Sequence, residues 1–343
     1  MHLSRPTPAA ALRFFPFVLP LLCLACSAEP APLAYDGATL DSFISKDATA
    51  EQLAPDTLTP DLPLGPPAHV RVATFNVHNF FDGVDDPHHS DEILTSSEVG
   101  KKVKQIGAAL RTLDADVVAL QEIENLGLLN RIVTEELKGR GYEHVHLQSG
   151  NDPRGINVAV LSRSTITRVT SHAGDQFEGA DASDTKNYHF SRDCLEVEIE
   201  PSKNRRLTLL INHLRAASFS DPDLATRIRE AQAKRVRAIV DEILKWSPNA
   251  NVAVVGDLND APTSRALTLL RDGSPRLTDL LASQSLNNRY TIVYKGKKLQ
   301  FDYILTTPGL QADYETGSAK ARHDAVFSAA SDHFPVVANF RVE

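Results

Sequence analysis

The sequence predicts an α/β protein in which mixed β-sheets pack together with helices outside, and three observations carry that expectation. Short β-branched apolar runs recur along the chain, two long segments have helical apolar spacing, and several runs follow one another with no helix between them. The last feature argues against a regular βα barrel, where every strand is followed by a helix.

The runs are Val70 to Val77, Asp116 to Leu120, Asn157 to Leu161, Leu195 to Ile199, Leu207 to Asn212, Asn251 to Gly256, Phe301 to Leu305 and Val336 to Phe340. Their length and β-branched content read as strands. Between the first two, Val99, Val103, Ile106, Leu110 and Leu113 step by four and three residues, and Thr95 stands at capping-box spacing from Glu98. That pattern predicts an amphipathic helix with Lys101, Lys102 and Lys104 towards water. A second helix is predicted over Asp223 to Lys245, with an apolar stripe of Ile228, Val236, Ile239, Val240 and Ile243. Its Arg227, Arg229, Lys234, Arg235 and Arg237 read as a solvated face.

The chain is 343 residues long, more than such a domain needs, and its N-terminal part accounts for the surplus. Residues 1–26 place Arg5 and Arg13 before an apolar run from Phe14 to Ala25, the pattern of an export signal that is too short to span a membrane. Leu24-Ala25-Cys26 resembles a bacterial lipobox, with Cys23 where Leu is usual, and the lipoprotein reading is preferred. Ordinary cleavage after Ala28 is the alternative. Residues 27–67 are rich in Pro, Ala, Asp and Thr and read as a tether, leaving 68–343 as one catalytic domain. The expected location is exported: an outer-membrane or cell-surface lipoprotein, otherwise periplasmic or secreted.

The formal net charge is −8, and loss of Arg5 and Arg13 with the leader takes it to about −10. An acidic balance argues against broad non-specific binding to nucleic acid but not against nucleic acid as substrate, since only the local groove must be positive. Once the leader is processed, Cys194 is the one free thiol left, so no intramolecular disulfide can form; it reads as a small buried strand residue.

Acids, amides and histidines fall at the C-terminal ends of the apolar runs, where loops close around ligands at a sheet edge. The segments are Ala73-Thr74-Phe75-Asn76-Val77-His78-Asn79, Val118-Ala119-Leu120-Gln121-Glu122, Leu210-Ile211-Asn212-His213-Leu214, Val255-Gly256-Asp257-Leu258-Asn259-Asp260, Phe301-Asp302-Tyr303-Ile304-Leu305 and Ser331-Asp332-His333-Phe334-Pro335-Val336. In this order they resemble the signature of the endonuclease/exonuclease/phosphatase superfamily, the deoxyribonuclease-like metal phosphoesterases, over residues 70–343. Each segment alone is weak; six in register are specific. The resemblance implies a four-layer α/β sandwich, two mixed β-sheets face to face with helices outside.

Phosphodiester hydrolysis builds negative charge on nonbridging and leaving oxygens, which a hard cation with oxygen ligands stabilises. By resemblance Glu122 is the principal Mg²⁺ ligand, with Asn76 beside it and Asp332 able to join; Mn²⁺ or Ca²⁺ would suit the same oxygens. Asp257 can polarise the attacking water, and the family assigns Asn259 to that water or a phosphate oxygen. His213 and His333 divide two tasks, binding phosphate as a cation and moving a proton. Asp302 matches the family position that orients His333, and Asp152 is the candidate partner of His213. Arg154, Arg192 and Arg215 are candidates for holding the phosphate.

Asp82, Asp85, Asp86, His88, His89, Asp91 and Glu92 crowd one loop without metal-site spacing and read as solvated. The long insertion over 171–193 is expected beside the site, shaping substrate choice. The leading function is an exported, Mg-dependent nuclease or phosphodiesterase acting on nucleic acid, with no obligate protein partner and membrane attachment through the lipid anchor alone. The alternatives are a phosphatase or phospholipase C-type enzyme acting on inositol phosphate or sphingomyelin, and an inactive binding module. No exposed apolar or aromatic hairpin of a lipid-active enzyme is evident in the sequence.

Overall fold

The computed structural model describes residues 69–218 and 220–342, so the leader expected over 1–26 and the tether expected over 27–67 lie outside the described residues. The first half contains β1 (His69–Phe80), α1 (Ser96–Leu113), β2 (Val117–Ile123), α2 (Leu126–Glu136), β3 (His144–Gln148), β4 (Asn157–Ser162) and β5 (Thr165–Ser171). A short hairpin follows, β6 (Phe177–Glu178) with β7 (Asn187–Tyr188), and then β8 (Cys194–Ser202), β9 (Arg205–His213), α3 (Pro222–Trp246), β10 (Val252–Asp257) and α4 (Arg265–Arg271). The remainder runs β11 (Thr278–Asp279), α5 (Leu286–Arg289), β12 (Ile292–Tyr294), β13 (Lys297–Leu299), β14 (Asp302–Thr306), α6 (Pro308–Asp313), β15 (Lys320–Ala321), α7 (Ala325–Ala330) and β16 (Val336–Arg341).

Two six-stranded sheets carry the fold, ordered β15-β16-β1-β2-β4-β3 and β11-β14-β10-β9-β8-β5. Each holds one parallel pair, β1 with β2 and β9 with β10, and is otherwise antiparallel. Those parallel pairs are joined across α1 and α3, because a parallel connection needs a crossover.

Strand alternation sorts the core into three apolar layers. Val70, Val72, Val117 and Ala119 of the first sheet meet Leu207, Leu209, Ile211, Ala253 and Val255 of the second between the sheets. On the outer face of the first sheet, Phe75, Val118 and Leu120 pack on Val103, Ile106 and Leu110 of α1 and Leu129 of α2. On the outer face of the second, Leu210, Val252 and Val254 pack on Val236 and Val240 of α3 and Leu267 of α4. The order helix, sheet, sheet, helix is the four-layer sandwich that the resemblance implies, and no barrel is formed.

Helix α1 starts with the expected capping box: the Glu98 N–H donates to Thr95 Oγ1 and the Thr95 N–H to Glu98 Oε2. Lys102, expected in water, instead turns inward and donates to the His78 and Ala330 carbonyls. The arginine face of α3 also departs from expectation. Arg229 and Arg237 are buried, the first paired with Asp260 at 2.9 Å and the second with Asp241 at 2.6 Å, because their long stems cover apolar surface while their heads find acids. Cys194 is buried in β8, and burial pushes its thiol well up, so it is an unreactive strand residue.

Candidate active site

Alternation also delivers the candidate site side chains. Asn76 is in phase with the inward Val70 and Val72, His213 with Leu209 and Ile211, and Asp257 with Ala253 and Val255. All three therefore emerge between the sheets at one edge. Asp302 opens β14, which is antiparallel to β10, and it sits directly opposite Asp257 in the register; His213 is opposite Asp257 on the other side.

Glu122 breaks this rule. Strict alternation along β2 would send it to the helix side with Val118 and Leu120, yet the pairing of β2 with β4 shifts between Gln121 and Ile123 and Glu122 has φ 66°. This bulge turns its carboxylate into the site. His78 (φ 56°), Asn79 (φ 45°) and Asn259 (φ 53°) also hold left-handed conformations, so four strained non-glycine residues border one cleft. Gly256 is required behind them: a Cβ there would stand 1.9 Å from the Asn212 carbonyl oxygen, at φ 127°.

The result is one connected polar cluster. Asn76 Nδ2 donates to Glu122 Oε1 and to Asp257 Oδ2, each at 3.1 Å. His213 Nε2 lies 3.7 Å from Glu122 Oε1 and 3.6 Å from Asp257 Oδ2. His333 Nε2 lies 3.8 Å from Asp257 Oδ2, and its Nδ1 is 2.8 Å from Asp302 Oδ2. The Asn259 N–H donates to Asp257 Oδ1 at 2.9 Å, and its side-chain amide donates to the Leu214 carbonyl, which leaves Oδ1 free of that contact. Ser331, passed over in the sequence, ties the C-terminal loop down by donating to the Asn76 carbonyl at 2.7 Å and accepting from the His333 N–H.

Charge separates the two histidines. Burial opposes the His333 cation, but Asp302 and Asp257 outweigh it and push the ring up to about 10. Burial, helped by Arg192, His333 and Arg154, holds His213 well below the usual imidazole range. His333 is therefore the cation at neutral pH and His213 is neutral. Burial also pushes the Asp257 carboxyl up to about 7, against the pull of His333.

Asp152 does not orient His213. It is committed to arginines instead, with Arg192 Nε 2.7 Å from Asp152 Oδ2 in an ion pair that is not an aligned hydrogen bond, and Arg154 Nε 3.1 Å from Asp152 Oδ1. His213 Nδ1 is buried without a hydrogen-bond partner among the described residues. Asp152 thus fixes two of the three expected phosphate-binding arginines: Arg192, buried, also donates to the Leu214 carbonyl, and Arg154 reaches Asn79 Oδ1. Arg215 is half-buried, and no ion pair to its guanidinium is formed among the described residues. The 171–193 segment is pinned to α3, where Lys234 donates to the Gly179 carbonyl and Gln232 to the His189 carbonyl, and its end delivers Arg192. The acidic loop after β1 is only partly exposed: Asp85, His88, His89 and Glu92 face solvent, while Asp82, Asp86 and Asp91 are half-buried and Asp82 is tied to Glu124 and Asn125.

The donors fit a hard divalent cation. Glu122, Asp257 and Asn76 offer oxygen and amide groups in contact, and the ligand atoms of Asp257, Asp302 and His333 lie within 4.8 Å of one another. Asp302 Oδ1 is buried with no partner among the described residues. As oriented, Asn76 turns its nitrogen to the carboxylates and its oxygen to the His78 N–H, so ligation through that oxygen requires the amide to rotate. Asp332 stands apart, half-exposed, with Oδ1 3.6 Å from His78 Nδ1.

The family model described as the endonuclease/exonuclease/phosphatase family matches residues 71–330. The chain belongs to this family. Its members are phosphoesterase hydrolases and generally depend on divalent metal. Among solved structures, a family protein from Bacteroides vulgatus aligns at 14% identity and a TM-score of 0.54, covering 81% of this chain and 100% of that one. The human Nocturnin catalytic domain, solved with a bound sulfate anion, aligns at 18% identity and 0.53, covering 80% and 94%. Truncated TDP2 from Caenorhabditis elegans aligns at 19% and 0.51, covering 80% and 98%. At these identities the likeness is one of fold. No curated protein matches.

One expectation about this family member is overturned. An exposed apolar and aromatic hairpin does exist beside the site: β12 and β13 carry Val293 and Tyr294, 49% and 43% exposed.

Proposed function

We propose that the chain is an exported nuclease or phosphodiesterase that hydrolyses phosphodiester bonds of nucleic acid with a divalent cation, Mg²⁺ in the first place. The observation that carries the reading is the convergence of Asp257 with the Asn76–Glu122 pair on one side and the His333–Asp302 pair on the other. Glu122 and Asn76 would hold the cation; Asp332, which stands apart beside His78, would join only by turning into the cleft. Such a cation neutralises charge on the nonbridging and leaving oxygens.

Asp257 is the proton acceptor for the attacking water, because a carboxyl pushed up to about 7 is basic enough to take a proton at neutral pH. Water attacks phosphorus as its proton passes to Asp257, the ester P–O bond breaks, and the leaving oxygen takes up a proton from solvent. His333, kept cationic by Asp302, opposes charge on the phosphate. His213 contributes as a neutral hydrogen-bonding ring. Arg192 and Arg154 add positive field, with Arg215 as a third cation. Export rests on the leader over 1–26, and surface attachment on Cys26; mass spectrometry of the mature N-terminus separates acylated Cys26 from cleavage after Ala28.

The test is to incubate the chain with plasmid DNA, RNA, sphingomyelin and inositol phosphates, with Mg²⁺ or with chelator. Metal-dependent cleavage of nucleic acid is the expected result. Cleavage confined to sphingomyelin or inositol phosphates would replace this reading with the phospholipase or phosphatase one.

A further inference from the structure

The β12–β13 hairpin, which no part of the catalytic cluster uses, is built onto that cluster. Ile292 pairs across a bridge with His333, the Thr291 carbonyl accepts from the Phe334 N–H at 2.7 Å, and Thr291 Oγ1 accepts from the Asp302 N–H at 3.0 Å. Tyr290 stacks on His323 at 3.9 Å between centroids and meets Phe334 edge-on, so the hairpin base is a braced aromatic group. Its turn is Lys295-Gly296, with φ 49° and 73°, the positive pair that a tight two-residue hairpin turn needs. A rigid arm is therefore fixed to both members of the His333–Asp302 pair.

What the arm presents is cationic and aromatic. Between Asp279 and Asp302 there is no acidic residue, and Arg289, Lys295, Lys297 and Lys298 are all present, in a chain of net charge −8. Tyr294 is exposed, Lys295 lies over its ring at 5.3 Å and Lys298 over the Tyr290 ring at 4.5 Å. The Lys297 side chain is exposed and makes no ion pair or hydrogen bond among the described residues. Two strand steps separate Tyr294 from Ile292, so the aromatic ring stands about 7 Å beyond the position opposite His333.

We propose that this hairpin is the arm that holds a single-stranded nucleic-acid segment flanking the scissile phosphate, Tyr294 stacking on a base and Lys295 and Lys297 contacting neighbouring phosphates. The inference rests on the nuclease reading above and names the substrate form that this site takes. Alternating aromatic and cationic groups suit a strand whose bases and phosphates both lie open. An inserting membrane arm needs a larger apolar face than one valine and one tyrosine among lysines.

The test measures binding of a fluorescent single-stranded 20-mer by anisotropy across salt concentrations, in an Asp257→Asn background that leaves the probe intact. Tyr294→Ala is expected to weaken binding at least about fivefold, and Tyr294→Phe to retain it. Lys297→Ala is expected to lower the slope of log affinity against log salt by about 0.7, and Lys297→Arg to restore it. If the parent binds and the Ala variants bind equally well with the same slope, the hairpin proposal is overturned while the nuclease reading stands. If the wild-type chain neither binds nor cleaves any oligonucleotide, the nuclease reading itself has failed. Parent binding to phosphatidylserine vesicles in preference to the oligonucleotide, lost in Tyr294→Ala, would overturn the proposal in favour of a membrane surface.

Discussion

Asp302 meets His333 Nδ1 at 2.8 Å from a position with no solvent exposure, and the pair decides which of the two histidines carries charge. Replacing Asp302 by Asn keeps the shape but removes the charge that favours imidazolium. Its kcat on a phosphodiester is expected to fall roughly 10²- to 10⁴-fold with the fold intact, as seen by steady-state rates beside circular dichroism. Unchanged kcat would remove His333 from the cationic role. A second histidine tests the same physics away from the site. Burial opposes the His172 charge, but Glu196 at 3.3 Å and Asp175 at 3.1 Å raise its proton affinity. A raised folded value stabilises the protein fully below the ordinary imidazole range, and the contribution is lost as pH rises through the folded value. The melting-temperature gap between wild type and His172→Gln is therefore expected to be larger at pH 6 than at pH 9; equal gaps would contradict the account. These residue states were only partly legible in the sequence. The Asp302 partnership was visible from the resemblance, whereas Asp152 near His213 was not decided by local pattern: the nearby Arg192 and Arg154 compete for the carboxylate, and only the fold brings them together.

Elements divide along similar lines. All eight apolar runs are strands, since buried strands of paired sheets are nearly continuous in β-branched residues. Edge strands escaped notice. β5 carries Thr165, Thr167 and Arg168 with little burial, and β3, the edge strand of the other sheet, carries His144 and His146, so neither has an apolar run to betray it. α2 is short, with Gly127 in its first turn, and its apolar stripe is correspondingly brief. The β12–β13 hairpin was hidden for a related reason: each strand is three residues long. The bulge at Glu122 could not be read from spacing, because it is the positive φ and not the sequence period that turns the carboxylate inward. Gly256 marks where β9 and β10 approach too closely for any side chain. Gly256→Ala is expected to cost about 3 kcal/mol or more in denaturant unfolding, and to impair catalysis in whatever protein remains folded, because Asp257 is the next residue. A stability within about 0.5 kcal/mol of wild type, the range of ordinary surface changes, would contradict the close approach.

At the scale of the molecule, two mixed sheets bring one strand edge from each half of the chain to a common cleft. Asn76 and Glu122 come from the first sheet, and His213, Asp257 and Asp302 from the second, so the site exists only when both sheets are packed together. Six motif segments sufficed to name these residues because each ends or begins a strand, and strand ends at one edge are what this fold assembles. What the motifs left open was the surroundings, namely the buried arginines, the inward Lys102 and the cationic hairpin, all of which depend on tertiary neighbours. The central claim is that this cleft hydrolyses phosphodiesters by a cation-assisted attack in which Asp257 takes the proton from water. Its most direct test is hydrolysis of bis(p-nitrophenyl) phosphate and of plasmid DNA by metal-stripped protein, before and after Mg²⁺ is restored, with Asp257→Asn beside wild type. The account predicts activity that vanishes on chelation, returns with Mg²⁺, and falls at least about a hundredfold in Asp257→Asn at unchanged melting temperature. Full activity in the metal-stripped protein, or in a folded Asp257→Asn, would contradict it.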